Sequence, residues 1–358
     1  MFDIPCIPTS ASEPDSQSPS SSPAAAAKPQ SAEPATLRSA AGLLALQTLP
    51  AIGEQTALRL ALLANEADPL PGEHAQLWAR GMAEVEEEIE RCKATGIAVI
   101  SIFDSAYPER LRAIASPPPV LYVRGEVGAL QRQRAVALAG SREPSEAGLA
   151  ATAHIVAALA ESDWTVIAGL GKGVEAAAHL AALSAGATTV AVMPTGLDHI
   201  VPVPNRALAG AIVEAGGALV SPFRMELKAS RSTTATRGRI IAGLAAALIV
   251  SQAAADDGAM YSARDAASQG RPVLCPQPRP DVAEDEGLRN LLEAPASQLP
   301  GLLTAWKGKS PLATRLGDRP LARPLAPDDG PAIRAALDEA IAAEPQAGFE
   351  PSWTLPKP

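Results

Sequence analysis

Two glycine turns and one basic stretch hold the residues of this chain best suited to chemistry. The first turn, Gly140-Ser141-Arg142, closes the small and β-branched apolar run Val136 to Ala139. The second, Gly169-Leu170-Gly171-Lys172-Gly173, closes Trp164 to Ala168. Each places backbone N–H groups beside one cation, and each precedes an Ala-rich helical pattern. That combination suits an anion: guanidinium forks onto phosphate oxygens, ammonium adds a point charge, and a helix N-terminus adds unpaired N–H donors. The third feature runs from Arg224 to Arg239, a Ser/Thr-rich segment read as a loop. It carries five basic residues (Arg224, Lys228, Arg231, Arg237, Arg239) against the single acid Glu226. The competing reading of each cation is a solvated loop charge. Placement on glycine turns at strand ends favours a phosphate contact for Arg142 and Lys172, whereas nothing in the spacing separates the two readings for Arg224, Lys228 and Arg231.

Such turns need strands to deliver them. Beyond the two runs above, Thr188 to Met193 is a third, opening into Pro194-Thr195-Gly196-Leu197-Asp198, and Ala218 to Ser221, Ala247 to Ser251 and Pro272 to Cys275 are further short apolar runs. Strands alternating with helices of about ten or more residues imply an α/β fold whose parallel sheet is covered on both faces. In such sheets ligands lie beyond the carboxyl ends of the strands, where these turns gather. Ile97 to Phe103 and Pro117 to Gly125 are two more strand candidates ahead of the repeat.

The remaining sequence bounds the answer. With 358 residues and 47% hydrophobic content the chain can build one large core, and 3% aromatic content makes that core Ala, Leu, Val and Ile. No apolar run reaches the roughly 18 residues of a membrane span, and the N-terminus lacks a basic segment followed by an apolar one, so no membrane is expected and a cytoplasmic location is. Cys6, Cys92 and Cys275 form neither a disulfide framework nor a metal clip, and His74, His154, His179 and His199 lack ligand spacing, so metal catalysis is disfavoured. The net charge of −9 argues against a protein coated in basic residues; charge in one groove matters more. Residues 1–36, mostly Ser, Pro and Ala, are expected to form a disordered tail. Residues 37–95 form a small helical domain. Its hairpin from Leu49 to Ala57 is either a plain packing turn or a helix-hairpin-helix with Ala51 in place of a glycine, and the acidic cluster Glu84, Glu86, Glu87, Glu88 and Glu90 on its long helix reads as a solvated face.

Six motifs now fall in order: D-x-x-YP-x-x-L from Asp104, P-x-x-LYVRG to Gly125, A-GSR to Arg142, GL-x-KG-V-E-AAAH to His179, TGLD-x-x-x-P-x-x-N to Asn205, and R-x-RIIAGL from Arg237. Together they resemble the DNA-processing protein A (DprA, Smf) family over about Asp104 to Pro276. The resemblance implies an extended Rossmann-type domain, here residues 97–300, that binds single-stranded DNA without a cofactor or a catalytic residue, forms a homodimer and helps load the RecA recombinase in natural transformation. By position it assigns DNA phosphate contacts to Gly140, Ser141 and Arg142, to Gly169, Lys172 and Gly173, and to Arg237 and Arg239 of an R-N-R loop. This chain departs from the pattern in places. The usual Phe-Pro before that loop is absent, its Asn is Gly238, the usual acid after the next strand is Gln252, and Ser-Gly-Ser appears as Asp257-Gly258-Ala259. Losing an aromatic removes a stacking platform that contributes about 1–3 kcal/mol per base. Residues 301–358 are expected to be a Pro-rich tail with one short helix near 331–343, too poor in apolar positions for a complete winged helix. Two other functions compete. One is a nucleotide hydrolase like the phosphoribohydrolases, against which Gln252 to Ser262 offers one glycine and no glutamate; the other is a paralogue sensing a nucleotide or strand end.

Overall fold

The computed structural model describes residues 36–63, 73–306 and 311–344; the expected N-terminal tail lies outside them as far as residue 35. Helix α1 (Ala40–Gln47) starts at Ser39, whose hydroxyl accepts from the Gly42 N–H, and is followed by α2 (Glu54–Leu63) and the long α3 (Glu73–Ala94). Between α1 and α2, Ala51 sits at a φ of +63°, the conformation a glycine would adopt without strain. The helices bury Leu43, Leu46, Leu58 and Val85 in the same core as the first strand, β1 (Ile97–Ser101).

β1 joins β2 (Val120–Gly125) through α4 (Glu109–Arg112) and the two run antiparallel. A parallel return needs a crossover of a dozen or so residues, usually a helix lying across the sheet, and this one-turn helix does not supply it. Thereafter strands and helices alternate as the sequence pattern requires: β3 (Ala135–Ala139), α5 (Glu146–Ala160), β4 (Thr165–Gly169), α6 (Val174–Ser184), β5 (Thr189–Val192), α7 (Arg206–Glu214), β6 (Ala218–Ser221), α8 (Arg231–Leu244), β7 (Ala247–Val250), α9 (Ala259–Ser268) and β8 (Val273–Pro276). The chain closes with α10 (Glu286–Glu293), α11 (Leu299–Leu302), α12 (Pro311–Leu316), β9 (Ala322–Leu325) and α13 (Gly330–Ala342).

The nine strands form one mostly parallel sheet in the order β1-β2-β6-β5-β4-β3-β7-β8-β9, with β2 antiparallel to both of its neighbours. The expected α/β architecture is therefore present, with an antiparallel edge that the sequence pattern did not specify. Alternation along β3 splits the core. Val136 and Leu138 face Ile155, Leu159, Trp164 and Leu337 on one side, while Ala137 and Ala139 join the larger cluster with Ile167, Leu248 and Ile241 on the other.

The segment beyond residue 300 is more than a tail. Its expected helix is α13, but β9 also extends the sheet in parallel with β8, pairing Cys275 with Pro324. Proline escaped the strand reading because it disrupts central strands; at an edge the outward N–H has no ladder partner to lose. Past α13, the Glu344 carboxylate accepts from Arg110 Nε at 2.6 Å and Arg271 Nη1 at 2.8 Å, both arginines being about nine-tenths buried.

Candidate nucleic-acid interface

The order of strands reverses at β3, which pairs with β4 on one side and β7 on the other, and at that switch point the carboxyl ends diverge to leave a crevice. Gly140 leaves β3 between the Val174 side chain and the Gln252 carbonyl, where a Cβ would collide with both. The Ser141 N–H donates to Gln252 O at 2.8 Å, its carbonyl accepts from the Val174 N–H at 3.0 Å, and its hydroxyl accepts from the Glu143 N–H at 3.2 Å. Ser141 is thus a buried brace of the turn, and Arg142, exposed, is the residue it projects.

The second turn nests against the first. Gly173 has a φ of +72°, and a side chain there would run into the carbonyls of Ser141 and Arg142. Glu175, in the first turn of α6, accepts from the Gly171 N–H at 2.7 Å through Oε2 and from Arg237 Nη2 at 2.9 Å through Oε1. This ion pair, with side chains 14% and 12% exposed, packs over Gly169, where no Cβ would fit. Asn205 Nδ2 donates to the carbonyls of Leu170 and Gly171 at 2.9 and 3.1 Å. His179 lies beneath. Burial lowers its pKa to about 4, outweighing the opposing pull of the Gly169 carbonyl and Glu175, so the ring is neutral. Its Nε2 donates to Gly169 O at 2.8 Å, which leaves Nδ1 to accept from the Thr189 hydroxyl at 2.7 Å.

Arg142, Lys172, Arg231 and Arg237 line a cleft of about 600 Å³ with the single carboxylate Glu175. The first turns of α8 and α9, with Ser230, Arg231 and Thr234 from one and Gly258 and Ala259 from the other, also border it, so the positive ends of two helix dipoles add to the field. Arg142, Lys172 and Arg231 form no ion pair with any described residue.

The basic stretch is not the loop its composition suggested. A reciprocal capping box between Ser230 and Thr233 starts α8 there, so Arg237 and Arg239 are two residues apart on a helix and point to different faces. Arg237 reaches the cleft; Arg239 is outside its lining, with its charge felt by Glu54 and Asp265. Arg224 is committed elsewhere, its guanidinium donating to Glu88 Oε2 and Glu84 Oε1 of α3. Glu88 is 3% exposed and also accepts from the Tyr122 hydroxyl at 2.9 Å. The acidic cluster is therefore not wholly a solvated face: at Glu88 it fastens α3 to the sheet.

Residues 98–303 match the sequence model of the family described as DNA recombination-mediator protein A. The chain belongs to this family. It is 38% identical over 192 residues to Protein Smf of Synechocystis, covering 53% of this chain and 48% of that protein. With DNA processing protein DprA of Bacillus subtilis the identity is 32% over 179 residues, covering 50% and 60%. The chain thus aligns with only about half the length of the curated relatives it matches. Among solved structures, DprA of Streptococcus pneumoniae has a TM-score of 0.62 at 24% identity, covering 71% of this chain and 92% of that one. DNA processing protein A of Helicobacter pylori, described for its single-stranded DNA binding mode, has a TM-score of 0.54 at 22% identity over 68% and 96%. At these identities the likeness is one of fold.

Two departures from the DprA pattern acquire a structural account. Gln252 does not leave a gap where an acid is usual: its Oε1 accepts from the Ser145 N–H at 2.8 Å at the start of α5, and its Nε2 donates to Asp285 Oδ1 at 2.7 Å. Burial pushes Asp285 up, but hydrogen bonds from Arg279 and Gln252 outweigh it and hold the carboxyl below its ordinary range. The second departure is the missing aromatic. Thr234-Ala235-Thr236 precedes Arg237 without a ring, yet one does line the cleft, Tyr261 of α9, which the motif comparison passed over because it stands in a different element.

Proposed function

We propose that this cleft holds the phosphates of single-stranded DNA and that the protein is a recombination mediator of the DprA kind, acting in the cytoplasm as a homodimer that loads RecA during DNA uptake. The observation that carries the reading is the pair of nested glycine turns presenting Arg142 and Lys172, both exposed and free of described acidic partners, at the mouth of a cleft with four cations and one carboxylate. Binding without bond cleavage fits the same geometry, because both oxygens of Glu175 are occupied by Arg237 and the Gly171 N–H, leaving it poorly placed as a base. Single strands are favoured over duplex because the cations sit at a recessed strand-end cleft, and no basic helix face among the described residues projects to enter a major groove.

The test is the salt dependence of oligothymidylate binding. Each phosphate contact contributes roughly 0.7 to the slope of log affinity against log salt on a single strand. Arg142→Ala and Lys172→Ala should each make that slope shallower by about this amount, while Arg132→Ala, at the opposite end of β3, should leave it unchanged. Unaltered slopes in both cleft variants, or equal affinity for duplex and single strand, would overturn the assignment.

A further inference from the structure

We propose that Tyr261 forms a base-stacking subsite, holding one unpaired base against its ring while the neighbouring cations hold the phosphates; this rests on the strand-binding reading above. Tyr261 is the third residue of α9 and half-buried at the cleft wall. The other two tyrosines are unavailable, since Tyr107 and Tyr122 are fully buried and their hydroxyls donate to Pro118 O and to Glu88.

The ring is held in place before any ligand arrives. Arg264, one turn further along α9, puts its guanidinium carbon 5.4 Å from the ring centroid. That guanidinium is itself fixed, Nη1 donating to Ala305 O at 2.8 Å and Nη2 to Asp265 Oδ1 at 3.0 Å. A cation resting on the ring restricts its rotation, so little side-chain freedom is left to lose when a base settles on it. Four residues that line the same cleft as Tyr261, namely Ala235, Gly238, Gly258 and Ala259, carry at most a methyl side chain. Arg142, Lys172 and Arg231 share the same cleft, which places phosphate-binding charge and a π-face in one recess. Base–aromatic stacking tolerates any sequence, because every base has a π-face, and it requires a base free of its partner. Tyr261 therefore supplies, from α9, the platform absent from the stretch before Arg237.

The experiment compares full-length wild type, Tyr261→Ala, Tyr261→Leu and Tyr261→Phe on two fluorescent strands of equal length, oligothymidylate and a fully abasic strand. Wild type should prefer oligothymidylate; Tyr261→Ala and Tyr261→Leu should lose about tenfold on it, within the range of one stacked base, while changing little on the abasic strand and keeping the wild-type salt slope. Tyr261→Phe should stay within about twofold of wild type, since the ring and not the hydroxyl does the stacking. Leucine preserves apolar packing, so its agreement with alanine separates stacking from a packing defect. Retained preference for bases in both the alanine and leucine variants, or equal losses on the two strands, would overturn the stacking subsite and leave strand binding standing. A wild-type protein that binds neither strand would overturn both.

Discussion

His179 makes the geometry of the second glycine turn sensitive to acid. In the folded protein its pKa lies at about 4 against an ordinary 6.5, because burial excludes the imidazolium; the unfolded chain titrates near the ordinary value. Between these values the unfolded state binds the extra proton, so His179 contributes its full stabilisation above about pH 6.5 and loses it as pH falls toward 4. The whole shift corresponds to about 3 kcal/mol, of which roughly 2 should already be lost by about pH 5. Urea unfolding followed by tryptophan fluorescence reads this directly, since Trp164 and Trp306 are fully buried. His179→Gln keeps an amide able to donate to the Gly169 carbonyl and cannot titrate. Wild type should therefore lose about 2 kcal/mol more than the variant between about pH 7 and pH 5. The His179 ring resonance should also hold its neutral position until about pH 5. Parallel stability curves for the two proteins, or a ring that titrates above about pH 6, would refute the burial argument.

Two further outcomes concern the frame around the cleft. Glu344→Gln leaves Arg110 and Arg271 buried without their carboxylate and should destabilise the protein by about 3 kcal/mol in urea unfolding, as removal of one partner of a buried ion pair does. For the same reason a chain ending near residue 300 loses β9, α13 and Glu344 together, so boundaries of 36 and 344 are the ones that should preserve strand binding in a titration. At the hairpin between α1 and α2, Ala51→Gly relieves a left-handed alanine and should raise stability by about 0.5–1 kcal/mol, read as a higher urea midpoint.

The strands of the repeat were legible because buried parallel strands are continuous apolar runs. Val136 to Ala139 and Trp164 to Ala168 announce themselves by composition, and Gly-Ser-Arg and Gly-Leu-Gly-Lys-Gly mark where they end. What escaped was governed by contacts distant in sequence. Arg237 and Arg239 share a basic stretch and are parted by a helix whose start depends on the Ser230–Thr233 capping box. Arg224 was read by its charge alone, whereas its partner is Glu88, far back on α3. Proline at 324 is a breaker in a central strand and harmless at an edge, and only the tertiary fold says which it is.

If the cleft takes a polyanion as proposed, the ion pair inside it accounts for how a protein with a net charge of −9 would present such a site. A guanidinium and a carboxylate, each more than four-fifths buried, are spent on holding the Gly169–Gly173 turn against α8, and the three cations that remain unpaired with any described residue are on the turn tips and the first turn of α8. Arg237 and Glu175 thus act first on shape. Without Glu175 the Gly171 N–H would lose its acceptor and Arg237 would be left as an unpaired, largely buried charge, and the turn carrying Lys172 would keep only its Asn205 bonds and its nesting at Gly173. In the proposed function, phosphates would meet charges whose spacing is set beforehand by backbone nesting at Gly173, and the attraction would be confined to one recess of a protein whose net charge is −9. Such confinement favours a thin, flexible polyanion that can enter the recess over a broad one that must lie across the surface.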